Sequence, residues 1–292
     1  MEHEICCVGH ITIDKIVTSK APVYMPGGTS FYFSNAIANM DVRYKLVTAL
    51  AANEMNAVTT LRNKGIDVKV VPSAYTLYFE NIYSGNQDHR TQRVLQKGDP
   101  FTAEQMNDVT AKIFHLGPLL ADDMPTSLIK SLASKAKISL DVQGFLRRVE
   151  NYNVLAVDWP AKREALRYVY YFKANEYEME LLTGQSEVYE GAKILVEWGV
   201  KEVIITLGSK GSVIFCDNAF CTIPAYHPIL VKDATGCGDT YMAGYLFQRI
   251  KGATIQKAGE FAAAMATLKI ESSGPFQGTK EDVLALLQSK GR

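Results

Sequence analysis

Residues 233–246 read DATGCGDTYMAGYL. Gly236, Cys237 and Gly238 stand directly before Asp239, and an amphipathic run follows: Tyr241, Met242, Tyr245, Leu246 and Ile250, with a stop at Gly252. That spacing predicts a helix whose first turn falls on the glycines. The unpaired N–H groups of such a turn, together with the positive end of the helix dipole, attract anions. A carboxylate fixed beside them is placed to take a proton from a nucleophile while the amides hold a phosphate. Gly-x-Gly-Asp on its own also describes a tight loop, with Asp239 as an N-terminal helix residue.

Outward from this stretch, short apolar runs of strand length recur at 5–8, 45–50, 112–116, 138–140, 169–172 and 203–207. Unbroken apolarity predicts strands covered on both faces, as in a parallel sheet. Helical patterns lie between them at 30–40, 52–64, 102–111, 125–137, 176–182, 191–197 and 254–270. The alternation predicts a doubly wound α/β fold, read here as one domain over 1–292. Two segments break the pattern. About 11–25 and 68–97 read as antiparallel strands, with Tyr75, Leu77, Phe79, Asn81 and Tyr83 on one face and a turn at Gly85-Asn86-Gln87-Asp88. They form either a small separate sheet or an ordinary sheet edge.

Ligands of open α/β sheets sit beyond the carboxyl ends of the strands. The residues there are polar and glycine-rich: Gly9-His10 with Asp14, Gly117-Pro118, Asp141-Val142-Gln143-Gly144, Asn175 to Glu178, and Thr206 to Gly211. Asn175 and Glu178 are three apart at a strand-to-helix junction, so both can face one site. They equally fit a capping box. Gln143 and Arg147 are within reach of an acceptor or phosphate, although a solvated arginine explains Arg147 as well. His10 and His115 read as hydrogen-bonded structural histidines. No Gly-Lys dipeptide exists, which excludes the common phosphate loop, and there is no Gly-x-Gly-x-x-Gly.

Taken whole, 233–246 resembles the C-terminal signature of the ribokinase-like (phosphofructokinase-B type) carbohydrate kinases. The resemblance implies a doubly wound, mostly parallel sheet flanked by helices, with a small β-sheet lid over the substrate. It implies transfer of the γ-phosphate of ATP to a hydroxyl of a small sugar or polyol, with Asp239 as base and the backbone of Gly236, Cys237 and Gly238 as anion hole. Asn175 and Glu178 match the family's Asn-x-x-Glu motif, which organises Mg2+ and its waters at the nucleotide phosphates. Thr206, Gly208 and Gly211 match its nucleotide-lining turn. Asp14, Gly27 and Gly28 match its acceptor-binding positions. Asp233 and Thr235 resemble residues beside a monovalent cation, K+ in many members. Two departures stand out. Tyr32 replaces the asparagine that often follows the di-glycine, which puts a simple ribose or fructose pocket in doubt, and Cys237 replaces a common alanine. Acceptors of the nucleoside, inositol or vitamin-precursor type are the alternative. A non-catalytic small-ligand sensor is a further one, disfavoured by the retention of Asp239, Asn175 and Glu178.

Composition sets the outer bounds. At 292 residues the chain buries a large core, and its 31 basic and 31 acidic residues balance. No basic field draws in nucleic acid. The five cysteines form no Cys-x-x-Cys pair and read as small buried hydrophobes. The opening MEHEICCVGH reads as neither signal peptide nor membrane span, which makes a reduced cytoplasmic compartment the expectation. Monomer and homodimer are both open.

Overall fold

The computed structural model describes residues 2–17, 21–83 and 90–289. Its main sheet has nine strands. In spatial order they are β15 (Ala219–Ile223), β14 (Ser212–Cys216), β13 (Glu202–Thr206), β12 (Tyr171–Asn175), β9 (Lys137–Asp141), β8 (Ala111–Leu116), β1 (His3–Val8), β4 (Tyr44–Leu50) and β5 (Asp67–Pro72). All neighbours from β5 to β13 are parallel, and only β14 and β15 run antiparallel at one edge. The fold is therefore the doubly wound α/β sheet expected.

Strand β1 shows why its sequence is apolar without alternation. Ile5 and Cys7 enter one core cluster, with helices α1 (Thr29–Ile37), α7 (Cys237–Ile250) and α8 (Ile255–Ile270). Cys6 and Val8 enter the other, with α3 (Thr126–Ala133), α5 (Glu176–Thr183) and α6 (Val188–Glu197). Successive side chains point to opposite faces, and both faces are covered. The chain leaves β1 toward β4 and β5 on one side, then returns to β8 on the other. The β1–β8 junction is thus the point where the winding reverses, and the crevice above it is where ligands bind in such sheets.

A second sheet of six strands lies outside the first, in the order β10 (Arg147–Glu150), β11 (Asn153–Ala156), β7 (Arg90–Gln96), β6 (Tyr78–Tyr83), β2 (Thr12–Val17) and β3 (Val23–Gly27). Leu77, Phe79 and Val94 pack beneath it against Leu119 and Leu120. Three sequence expectations change here. Residues 68–72 pair with β4 in the main sheet, so they are outside the smaller sheet. Residues 147–156, unassigned from sequence, add a hairpin to it. The helix expected over 102–111 shrinks to a single turn at Glu104–Met106 before β8 begins. Leu77, Phe79 and Asn81 share a buried face, whereas Tyr75 precedes the strand and is 56% exposed. The turn expected at 85–88 and the side chain of Tyr83 lie outside the described residues. No helix among those residues is long and apolar enough to cross a membrane.

Candidate active site

Helix α7 starts at Gly236, which sits in the left-handed region with φ 76°. The ring of Tyr32 packs against it, and a Cβ at that position would overlap the ring. Glycine is therefore required twice, for backbone sign and for space. The amide of Cys237 donates to the carbonyl of Ala234 at 3.2 Å. Among the described residues, the amides of Gly236, Gly238 and Asp239 have no protein acceptor. Of the three residues expected to form an anion hole, 236, 237 and 238, Cys237 thus has its amide engaged in the turn, while Gly236 and Gly238, with Asp239 beside them, keep theirs free of protein acceptors among the described residues. The Cys237 side chain points away, its Sγ 3.8 Å from the carbonyl of Ala266.

Facing α7 is the start of α1. Gly28 caps it at φ 85°, where a Cβ would stand 2.6 Å from the His10 carbonyl. The next residue, Thr29, hydrogen-bonds the Asp239 carboxylate through its side chain. Thr29 also packs on Gly117, at the end of β8 and hence at the winding reversal. Two helix N-termini converge there on one carboxylate. Asp14 lies on β2 with its carboxylate against the Cα of Gly27, and Thr12 Oγ1 donates to Asp14 Oδ1 at 2.7 Å. Asp14 and Gly27 are thus in contact, and Gly28 follows directly at the cap of α1.

Beneath the amides is a charge cluster that the sequence reading missed. Lys173 Nζ lies 2.9 Å from Asp141 Oδ2 and 4.0 Å from Glu178 Oε2. A Cβ on Gly238 would stand 3.1 Å from the same Nζ. Burial works against the lysine charge, but Asp141, Glu178 and Asp239 together outweigh it and hold the ammonium protonated. Asp239 remains partly open to solvent. Crowding by protein atoms and the charge of Asp141 push its pKa up to about 6, against the pull of Lys173, Thr29 and Arg147. Arg147, at the head of β10, thus acts on the same carboxylate. The one sequence signal for Lys173 was a charged residue inside the apolar strand YFKAN.

Asn175 caps α5 in a full capping box: its Oδ1 accepts from the Glu178 amide at 2.8 Å, and Glu178 Oε2 accepts from the Asn175 amide at 2.8 Å. The cap leaves Glu178 Oε1 facing Gln143 Nε2 at 3.5 Å. Among the described residues no group of three acidic, histidine or cysteine side chains could hold a metal. One spare carboxylate oxygen fits Mg2+ held through water, with phosphates supplying the remaining ligands. Thr206 pairs with Asn175 at the adjacent strand end, and the turn at Gly208–Lys210 follows. Gly211, at φ 93°, is pressed onto the carbonyl of Ile223.

Asp233 and Thr235 do not present an open cation site. Lys269, fully buried on α8, donates from Nζ to the Asp233 carbonyl at 2.7 Å and lies 3.3 Å from Asp233 Oδ2. His10 and His115 are buried and partnered, by Asp99 O and Ser139 Oγ respectively, as expected of structural histidines.

Similarity to known proteins follows the same lines. The profile of the pfkB family carbohydrate kinases matches residues 2–281. A cytidine kinase of Thermococcus kodakarensis is 25% identical over 269 residues, covering 87% of this chain and 91% of its own. A pyrophosphate-dependent kinase in the ribokinase family, solved with a pyrophosphate analog and myo-inositol, superposes with a TM-score of 0.85 at 29% identity, over 96% of this chain and 99% of that one. Arabidopsis thaliana ribokinase, complexed with ribose and ATP, shares the fold with a TM-score of 0.80 at 20% identity, over 99% of each chain.

Proposed function

The chain belongs to the pfkB family of carbohydrate kinases, and on that premise we propose that it transfers the γ-phosphate of ATP to a hydroxyl of a small sugar or polyol, with Asp239 as the base. The observation that carries this reading is the Asp239 carboxylate beside three free amides at the start of α7, opposite the start of α1. With a pKa of about 6 the carboxylate is mostly ionised at neutral pH, yet basic enough to draw a proton from an alcohol as its oxygen attacks.

Phosphoryl transfer relies on positioning and on stabilising charge. In this reading the amides of Gly236, Gly238 and Asp239 bind the migrating phosphate, and Lys173 adds a fixed positive charge below them. Losing one such donor typically costs about 3 kcal/mol, on the order of a hundredfold in rate. Asp14, Gly27 and Gly28 orient the acceptor, with Gln143 and Arg147 at its flank. Thr206, Gly208 and Gly211 line the donor. Glu178, backed by Asn175, would hold Mg2+ through water, and the ion would supply neutralisation of phosphate charge. The second sheet covers the acceptor and keeps water from competing with it. All five cysteines are free thiols, which suits a reduced cytoplasmic compartment.

A cyclitol acceptor and a pyrophosphate donor form a second reading, favoured by the relative solved with myo-inositol and a pyrophosphate analog. A nucleoside acceptor is the third, favoured by the cytidine kinase relative. One matrix of assays tests all three: ATP and pyrophosphate as donors against ribose, fructose, myo-inositol and cytidine. Product with ATP and a sugar or polyol supports the first reading. Turnover with pyrophosphate alone, or with cytidine alone, replaces it.

A further inference from the structure

Lys269 is the last-turn lysine of α8, and none of its surface is exposed. Burying an ammonium costs free energy unless it is paired and hydrogen-bonded, so its partners are informative. The oxygens it binds both belong to Asp233, in the segment that leads into the amide cluster. Nζ donates to the Asp233 carbonyl at 2.7 Å and sits 3.3 Å from Asp233 Oδ2. The same carboxylate accepts from the amide of Thr235 at 2.9 Å and from that of Gly274 at 3.2 Å. Nζ also lies 5.9 Å from the centre of the Tyr32 ring, the ring that packs on Gly236. One cation therefore ties Asp233, Tyr32 and the start of α7 together.

A backbone carbonyl, a carboxylate and an electron-rich ring face are what a weakly hydrated monovalent cation takes, and ammonium and potassium ions are close in size. The oxygens of Asp233 that such an ion would use are those that Lys269 holds. The residues at this place thus do not fit a K+ ion. We infer that the Lys269 ammonium stands where a monovalent cation would act, positioning the 233–238 segment so that this chain needs no added K+. The inference rests on the phosphoryl-transfer reading above. Lys269 touches no reacting atom in it; it is a positioning residue that acts through Asp233 and Gly236.

The test uses the full-length protein in KCl, NaCl and choline chloride at equal ionic strength. Wild-type turnover and melting temperature are expected to be the same in all three salts. Lys269→Ala is expected to lose about a hundredfold in kcat through misplacement of the amides, with the acceptor KM held. Added KCl or ammonium chloride, but not choline chloride, should recover part of that kcat and raise the variant's melting temperature. Lys269→Met fills the same volume without charge; it should fold, turn over slowly and ignore the salt. Activation or thermal stabilisation of the wild type by K+ over Na+ overturns the inference, as does wild-type turnover by Lys269→Met. Should neither variant fold, the wild-type salt comparison decides by itself. If the wild type phosphorylates no acceptor in any salt, the functional reading fails, while the melting comparison still decides the cation question.

Discussion

Lys173 and Asp141 are register partners on neighbouring parallel strands, and their side chains meet at 2.9 Å with 6% of each exposed. Burial raises the pKa of Asp141, but the charge and hydrogen bond of Lys173 more than reverse this, leaving the carboxyl below its usual value of 3.8. The pair therefore stabilises above that value and loses its contribution as the pH falls below it. Lys173→Met strands a buried carboxylate. The expected cost is about 3–5 kcal/mol at pH 7, shrinking toward pH 4 as Asp141 takes up a proton. Urea unfolding at the two pH values checks it.

Asp239→Asn keeps the shape of the site and removes the proposed base. Turnover should fall by about a hundredfold or more while acceptor and donor still bind. Calorimetric titration beside steady-state rates separates the two, and near-normal turnover would take Asp239 out of the mechanism.

The pH dependence of Asp239 carries a definite sign. Its carboxyl is raised from 3.8 to about 6. Log kcat/KM should thus climb with pH and level off above about pH 6. Stability moves the other way: the ionised carboxylate costs up to about 3 kcal/mol, a penalty absent below pH 3.8 and complete above pH 6. Asp239→Asn is therefore expected to unfold at higher urea than the wild type at pH 8 and to show no such gain near pH 4.

Gly236→Ala meets both the positive φ and the Tyr32 ring. Strain and overpacking together should cost about 2–5 kcal/mol. Adding Tyr32→Ala relieves the clash but not the strain, so the double variant should be more stable than the sum of its parts. Chemical denaturation of the four proteins reads the coupling directly.

Glu178→Gln keeps an oxygen for the cap of α5 but removes the charge behind the proposed Mg2+ contact. The Mg2+ concentration for half-maximal rate should rise by about tenfold or more. A titration of rate against MgCl2 checks it, and an unchanged midpoint would remove Glu178 from the metal shell.

What was readable in the sequence was local in the chain. Gly236 to Asp239 and Asn175 to Glu178 each place their chemistry within four residues, where helix geometry alone decides which groups meet. The capping reading of Asn175 holds, and it leaves the proposed magnesium role open because the cap uses Oε2 of Glu178 and not Oε1. What depended on distant partners was hidden. Lys173 finds Asp141 across 32 positions, and Lys269 finds Asp233 across 36. Nothing near either lysine in sequence shows that it is buried. Strand β5 went to the wrong sheet because the apolar run around Val68 and Val71 pairs equally well with either. The β10–β11 hairpin escaped because its turn uses Asn151 and Tyr152, both at positive φ, with no glycine to mark it.

The smaller sheet is assembled from three separate strand pairs, β2 with β3, β6 with β7 and β10 with β11, and the chain returns to the main sheet between one pair and the next. It is stitched down at every return and has no single hinge. If that sheet covers the acceptor as proposed, a new acceptor preference has to be written in three distant places at once. Any tilt of that roof, in turn, pulls on the carboxyl ends of β1, β5 and β9, the three strands of the main sheet from which the chain climbs into it.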